Sequence, residues 1–383
     1  MSPLGIPGPR EAESDGPQDG EGPGSSAAAH ERASRGAEQG RRLRVLAVTN
    51  IYPTPERPAL GTFVEQQIKG LRAIGLEVEV EFVDRAGRGM GVYRDAGARA
   101  RRRAREIGAD LVHVMYGGIL ADEVTREVTD RPRLVSFCGS DLLGELLSGW
   151  WRRVVSGLGV RASHRAARRA DGIIVKSRNL RDALPTGLGT KPVVILPNGV
   201  DLARFSPLDR TTCRESLGWS ASSFHVLFPF NTGDRRKRPW LAQAAIDRVR
   251  ERGVAAELHP LRDVPHERVP VWINACDAVL LTSLHEGSPN VVKEALACDV
   301  AVVSLDVGDV RERLEGIAGC YLATPDPGDL AGCLQRVHEG PGRVQARARM
   351  ADFSIDRVAA RLERVYRDVL ARTARRSPVG GGA

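Results

Sequence analysis

The apolar run Asp277-Ala-Val-Leu-Leu-Thr282 is followed, after a loop of a few residues, by apolar positions at helical spacing: Val291, Val292, Ala295 and Leu296. Its length and Val/Leu content suit a strand buried on both faces, as in a parallel sheet covered by helices. Ser288 stands where an N-cap belongs and Pro289 at the favoured first helical position. Such a compressed strand, loop and helix start presents unpaired backbone N–H groups and the positive end of a helix dipole, which suits a phosphate. Glu286 lies in the loop, and Glu294 lies over one turn into the helix. A carboxylate there can accept hydrogen bonds from two adjacent hydroxyls. A ligand with a sugar, a diphosphate and a ribose would use all of these groups.

The same alternation runs through the chain. Strand-like runs at 43–49, 78–83, 111–115, 134–137, 172–175 and 193–196 alternate with helical stretches, and Pro197-Asn-Gly-Val-Asp201 then supplies a strong turn signal. A second series follows, with strands at 224–230, 254–259, 277–282, 300–304 and near 319–322. Its helices fall at 239–252, 267–275, after 288, at 309–314 and near 328–338, before an amphipathic helix at 355–371. The pattern predicts an α/β chain of parallel sheets with helices on both faces, and 383 residues exceed one comfortable core. The expected organisation is a first domain at 43–199, a second at 200–354 and a terminal helix at 355–372. Residues 1–42 and 373–383 read as disordered, the former because they hold almost no large apolar residue. In the first strand-loop-helix, Thr62 is the expected cap, and Gly61 would let a ligand approach the backbone closely. No Gly-x-Gly-x-x-Gly occurs there, so a dinucleotide cofactor is not indicated.

Composition narrows the function further. A net charge of +8 attracts anions, yet Arg and Asp/Glu are interspersed, so nucleotide phosphates or an anionic membrane explain it as well as nucleic acid does. The basic helix near 94–107 reads as a solvated face. Six scattered cysteines without metal spacing read as buried free thiols in a reducing cytosol. No run approaches the length of a membrane span and no signal pattern opens the chain, so a soluble or peripheral protein is expected. The segment 150–169 combines Trp150 and Trp151 with Arg152, Arg153, Arg161, Arg165, Arg168 and Arg169. It predicts weak binding to anionic membranes, with packing of both Trp side chains in an interdomain core as the alternative.

Glu286 and Glu294, with seven residues between them, resemble the Glu-x7-Glu element of the retaining family 4 glycosyltransferases of GT-B fold. Tyr52-Pro53, Pro58 and Gly61-Thr62-Phe63 resemble the family's first loop, which faces the donor. Ser136-Phe-Cys-Gly-Ser-Asp141 resembles its His-Gly-Ser-Asp segment, with Cys138 in place of the usual His, and 197–207 resembles the end of its first domain. The resemblance spans about 43–372. It implies two doubly wound Rossmann-like domains facing each other across a cleft, the first on the acceptor side and the second on the donor side, with the terminal helix crossing back to the first. It further implies a retaining transfer from a nucleotide-diphosphate sugar to a hydroxyl acceptor (glycan, glycolipid or small molecule), in cell-envelope or extracellular polysaccharide or glycolipid synthesis. The cytoplasm, or the inner face of the membrane, is the implied location.

Carried onto this sequence, the resemblance places Glu286 at the donor sugar and Glu294 at the ribose. Gly61, Asn231, Arg236, Gly287, Ser288, Pro289, Asn290 and Val291 would also meet the donor, and Cys138, Gly139 and Asp141 the acceptor. No Asp-x-Asp exists to hold a metal-bound diphosphate, so no metal or other cofactor is expected, and cationic side chains with helix N–H groups must stabilise the leaving group. Family members carry an Arg where Asn231 falls and a Lys where Lys237 falls. Arg235, Arg236 and Lys237 are therefore the expected clamp, Lys237 and Arg235 foremost. The competing readings are a non-catalytic nucleotide-sugar or nucleic-acid binding protein and a sugar-nucleotide epimerase of the same fold; nucleic acid is not the expected partner.

Overall fold

The computed structural model describes residues 42–376 apart from 59, 145–149, 231–233 and 263. Residues 1–41 and 377–383, part of the two expected disordered tails, lie outside the described residues. The first sheet contains β1 (Arg44–Thr49), β2 (Glu77–Phe82), β3 (Leu111–Val114), β4 (Arg133–Phe137), β5 (Gly172–Val175) and β6 (Val193–Ile195), in the order β2-β1-β3-β4-β5-β6. The second contains β7 (Phe224–Phe228), β8 (Ala256–Pro260), β9 (Ala278–Leu281), β10 (Ala301–Leu305) and β11 (Tyr321–Ala323), in the order β11-β10-β9-β7-β8. Every described pairing within the two sheets is parallel.

The strands follow from their composition. β3, β5, β7, β9 and β10 are buried at every position because helices cover both faces. Each Val or Leu so enclosed stabilises the fold by roughly 1.5–3 kcal/mol. β2 lies at an edge and reads Glu-Val-Glu-Val-Glu-Phe, with its valines turned inward or partly covered. The α-helices of five residues or more are α1 (Thr62–Ala73), α2 (Ala96–Glu106), α3 (Gly118–Glu127), α4 (Trp150–Arg169), α5 (Arg178–Asp182), α6 (Arg210–Leu217), α7 (Pro239–Glu251), α8 (Val269–Ala275), α9 (Asn290–Ala297), α10 (Val310–Leu314), α11 (Pro327–His338) and α12 (Ile355–Arg376). The expected solvated basic face belongs to α2, and it is partly tied down: Arg99 pairs with Glu81 at 3.1 Å and Arg103 with Glu79 at 3.4 Å, both glutamates on β2.

Between the sheets the chain passes twice through one narrow place, where Val200 N–H donates to the Phe353 carbonyl at 2.8 Å. After this crossing α12 lies on the first sheet, its Val358, Leu362, Val365, Tyr366 and Val369 packed with Leu43, Val45, Ile68 and Ile174. The Tyr366 hydroxyl is 2.8 Å from His113 Nδ1, and His113 Nε2 is 2.8 Å from Ser136 Oγ. Burial holds His113 down at about 3, so it is neutral.

Three local expectations are corrected. Gly61 rather than Thr62 is the N-cap of α1, in a left-handed conformation (φ 73°). A Cβ there would sit 2.5 Å from the Ile51 carbonyl, so the close approach it permits is that of the chain's own backbone rather than a ligand's. α9 is capped by Pro289 with no side-chain hydrogen bond, because the Ser288 hydroxyl is used elsewhere. The last helix continues past 371 to Arg376, so residues 373–376 are ordered.

Candidate active site

In the second sheet β8 lies on one side of β7 while β9, β10 and β11 lie on the other, so the connections leaving β7 and β9 diverge. That divergence opens a crevice at the carboxyl ends of the strands, the place where doubly wound sheets bind ligands. The loop after β7 carries Arg235, Arg236 and Lys237, and the loop after β9 carries Glu286. The two loops are laced together. Leu284 N–H donates to the Arg236 carbonyl at 2.9 Å, and the Thr282 hydroxyl donates to the Lys237 carbonyl at 2.8 Å. The Arg238 guanidinium donates to the carbonyls of Thr282 and Ser283 at 2.7 and 2.9 Å.

This lacing sets the central pair. Lys237 Nζ meets Glu286 Oε1, and both side chains are nearly buried. The ammonium also lies 3.7 Å from the centre of the Phe230 ring. Burial pushes Lys237 down from its ordinary value, and Glu286 partly restores it. Two residues 49 apart in sequence thus place opposite charges in one low-dielectric spot. Arg236 pairs with Asp234 at 3.2 Å, whereas Arg235 is exposed. Asn231 lies outside the described residues.

The two lobes touch at the Glu286–Gly287 peptide, among other places. Asn179, on α5, donates from Nδ2 to the Glu286 carbonyl at 3.1 Å. A Cβ on Gly287 would stand 2.2 Å from the Cys138 carbonyl, a distance no side chain tolerates, so only glycine fits against the Cys138–Gly139 loop. That loop is fixed by Asp141, whose carboxylate accepts from the N–H groups of Cys138 (3.0 Å), Gly139 (2.7 Å) and Gly117 (2.9 Å). Asp141 is therefore occupied in holding the loop. The Cys138 thiol is pushed by burial up to about 12 and stays protonated.

α9 supplies the other carboxylate. Glu294 is partly buried and has no hydrogen-bond or ion-pair partner among the described residues, and burial pushes it up to about 7 against the counter-effects of Lys293 and Arg204. Ser288 Oγ donates to Asp309 Oδ2 at 2.9 Å and accepts from Lys293 Nζ at 2.8 Å, and Arg313 lies 3.3 Å from Asp309. Ser288 thus belongs to a buried charged network beneath the loop. Val291 turns its side chain into the core, and Asn290 Oδ1 meets Asn198 Nδ2 at 3.4 Å, across from the turn that ends the first lobe. Buried polar atoms without partners gather on these loops: Ser283 Oγ, His285 Nδ1 and Asn198 Oδ1. Native proteins leave few such atoms unpaired, so these three are open to a polar ligand or to water.

Lys176 was not singled out in the sequence. It follows β5, where the parallel register continues to Cys138 beside it, and it is 2 % exposed. Its ammonium has no hydrogen-bond or ion-pair partner among the described residues, and burial pushes it down although Cys138 and Asp141 are near. The signal was a lysine closing the apolar run Gly172-Ile-Ile-Val175. In the first lobe, a cavity of about 100 Å³ opens over the ends of β1, β3 and β4, with Asn50, Tyr93, Tyr116, Ser140 and Ser156 in its wall. Met90 and Val155 also line it, and both are exposed.

Two family models match the chain: "Glycosyltransferase Family 4" over residues 25–204 and "Glycosyl transferases group 1" over residues 231–339. The chain belongs to the family 4 glycosyltransferases. The D-inositol 3-phosphate glycosyltransferase of Thermobispora bispora is 26% identical over 230 residues, which cover 50% of this chain and 54% of that protein. The chain spans about half the length of the first curated relatives it matches. TuaC of Bacillus subtilis, whose name assigns it to teichuronic acid biosynthesis, is 25% identical, covering 70% of this chain and 82% of TuaC. Among solved structures, sucrose-phosphate synthase from Thermosynechococcus elongatus superposes with a TM-score of 0.70 at 18% identity, covering 87% of this chain and all of that one. Anabaena HepE in complex with UDP-glucose does so with a TM-score of 0.61 at 18% identity, covering 85% and 100%. These likenesses establish the GT-B fold. No helix among the described residues is long and apolar enough to cross a membrane.

Proposed function

We propose that this family 4 glycosyltransferase transfers a sugar from a nucleotide-diphosphate donor to a hydroxyl acceptor, with retention at the anomeric carbon and without a metal ion. The observation that carries the reading is the contact of Lys237 with Glu286 at the switch point of the second sheet. A cation and a carboxylate held together there match the two ends of the bond to be broken, a phosphate oxygen and a sugar ring. The bond from C1 to the phosphate oxygen breaks and its electron pair leaves with the diphosphate. Lys237, Arg235 and the N–H groups of Gly287, Ser288, Asn290 and Val291 stabilise that charge. The acceptor oxygen bonds to C1 on the face the diphosphate leaves, and its proton passes to the departing phosphate. Glu286 holds the sugar, and Glu294 accepts from the ribose hydroxyls. Lys176, a cation without a partner where the two lobes meet, adds to the positive field on the same group.

A uridine nucleotide is the first donor to try, since HepE is described with UDP-glucose. For the acceptor we propose an amphipathic, lipid-linked hydroxyl compound of envelope polysaccharide or glycolipid synthesis, met at the inner face of the membrane. The first-lobe cavity is walled by hydroxyls, and the nearby surface of α4 exposes Val154, Val155 and Leu158. The sequence expectation for this helix needs one correction, because Arg165 and Arg169 both pair with Asp122 and are not free for lipid. The side chains of Trp150 to Arg153 lie outside the described residues.

The deciding experiment incubates purified protein with a panel of nucleotide sugars, scoring thermal stabilisation and slow donor hydrolysis. Stabilisation with release of nucleoside diphosphate and free sugar supports transfer. Stabilisation without turnover, by wild type and Glu286→Ala alike, would leave a binding protein. A changed sugar still attached to its nucleotide would indicate an epimerase.

A further inference from the structure

A second cluster of chemically capable side chains lies away from the inter-lobe crevice, at the edge of the second sheet. His225 is the second residue of β7 and stands in register with Glu257 on the edge strand β8. His259, two residues along β8, shares the face of Glu257. His225 Nδ1 is 2.8 Å from His259 Nε2, and Glu257 Oε2 is 3.9 Å from the first and 3.8 Å from the second. A point equidistant from three atoms so spaced lies about 2.1 Å from each, the length of a zinc bond to imidazole nitrogen or carboxylate oxygen.

The surroundings fit an ion as well. His225 is fully buried, and its Nε2 lies 2.7 Å from the Ser220 carbonyl. A carbonyl only accepts, so Nε2 carries the proton and Nδ1 turns its lone pair toward the centre of the cluster. This is how ligating histidines are oriented by a partner on the other nitrogen. Trp219 stacks on His259 with centroids 3.6 Å apart and on His225 at 5.1 Å, and Trp272 meets Trp219 edge-on. These rings wall off one side and hold both imidazoles in place. Glu257 is the exposed member, so an ion and a completing water would arrive from its side.

We infer that His225, Glu257 and His259 form a binding site for one divalent transition-metal ion, zinc above all, that fastens the edge strand β8 to β7. Two imidazoles and one carboxylate suit zinc, whereas magnesium and calcium favour sites built of oxygen ligands. With no ion bound, His259 Nε2–H donates to His225 Nδ1. With one bound, His259 carries its proton on Nδ1 and presents Nε2 to the metal. The Lys237 loop leaves the opposite end of β7, so the ion does not enter the transfer reaction, and the inference stands whether or not the proposed function does.

The test uses full-length, untagged protein stripped with a chelator, titrated with Co²⁺ as a spectroscopic probe and with Zn²⁺ during thermal unfolding. One equivalent of Co²⁺ per chain with visible d–d absorption, and a rise in Tm with Zn²⁺ but not Mg²⁺, is expected. Glu257→Gln and His259→Gln should each weaken zinc binding at least tenfold. Should His259→Gln fail to fold, Glu257→Gln decides alone, its side chain being half exposed. No stoichiometric binding to the wild type, or binding of unchanged strength in Glu257→Gln, overturns the inference.

Discussion

At the scale of single residues, the Lys237–Glu286 pair separates binding from chemistry. Removing a desolvated cation from a site where charge develops costs about 2–4 kcal/mol. Lys237→Ala should therefore lower turnover by about 10²-fold or more, exposed Arg235→Ala less, and Asn231→Ala under tenfold. Glu286→Ala should lower turnover about 10²- to 10³-fold and leave nucleoside diphosphate affinity nearly intact. Steady-state kinetics with calorimetric titration of the diphosphate checks all four. Glu294 adds a pH signature. In the folded chain it titrates at about 7 against an ordinary 4.5, so the fold holds its proton the more tightly. Its contribution to stability is full below the unfolded value and is lost as pH rises through about 7. The Tm of Glu294→Gln, relative to wild type, should be higher at pH 8 than at pH 5. Nucleotide affinity should run the other way, because the ionised carboxylate accepts two hydroxyl bonds. Wild-type affinity should strengthen from pH 6 to pH 8, and that of Glu294→Gln should be about 10- to 100-fold weaker at pH 8 and flat across the range.

At the scale of elements, the loop between β9 and α9 works through its backbone. Gly287 lies against the Cys138 carbonyl with no room for a Cβ. Gly287→Ala must push the loops of the two lobes apart and displace Glu286 from Lys237. A displacement near 1 Å in a reacting geometry costs about 10²-fold. The expected result is a turnover loss of that order with far-UV circular dichroism unchanged. Helix α4 makes a different prediction. Val154 and Leu158 are exposed, one turn apart, on the same face. Replacing both with Asp should abolish pelleting with anionic vesicles and leave hydrolysis of a soluble donor unaltered. Equal, negligible pelleting of wild type with anionic and neutral vesicles would reject a membrane role.

For the whole molecule, α12 ties the far end of the chain to the first sheet through a contact between residues 253 apart. Tyr366→Phe removes the partner of His113 Nδ1 and leaves a fully buried polar atom unpaired. Such an orphan costs about 1–3 kcal/mol, or roughly 1–4 °C in Tm for a protein of this size. Differential scanning calorimetry measures it. A second change, Ser136→Ala, should add less than its own separate cost, because both hydroxyls serve one ring.

Much of the architecture was legible in the chain because its signals are short-range. Periods of two and 3.6 residues, a Pro-Asn-Gly turn and a strand ending beside a helix start all act within a few neighbours. They determined the parallel α/β architecture in two series and drew attention to the loop around Glu286. What lies between distant segments depended on register and on the packing of the lobes. Local rules made Ser288 a cap, yet Asp309 and Lys293 claim its hydroxyl; they gave Arg165 and Arg169 to a membrane, yet Asp122 claims both. The pairing of Lys237 with Glu286 and the meeting of His225 with Glu257 and His259 carry no mark in the linear sequence. Hydrophobic burial is non-directional and specifies only that these segments come together. Which polar atoms then face one another is fixed by strand register and close packing, and only the folded chain has those.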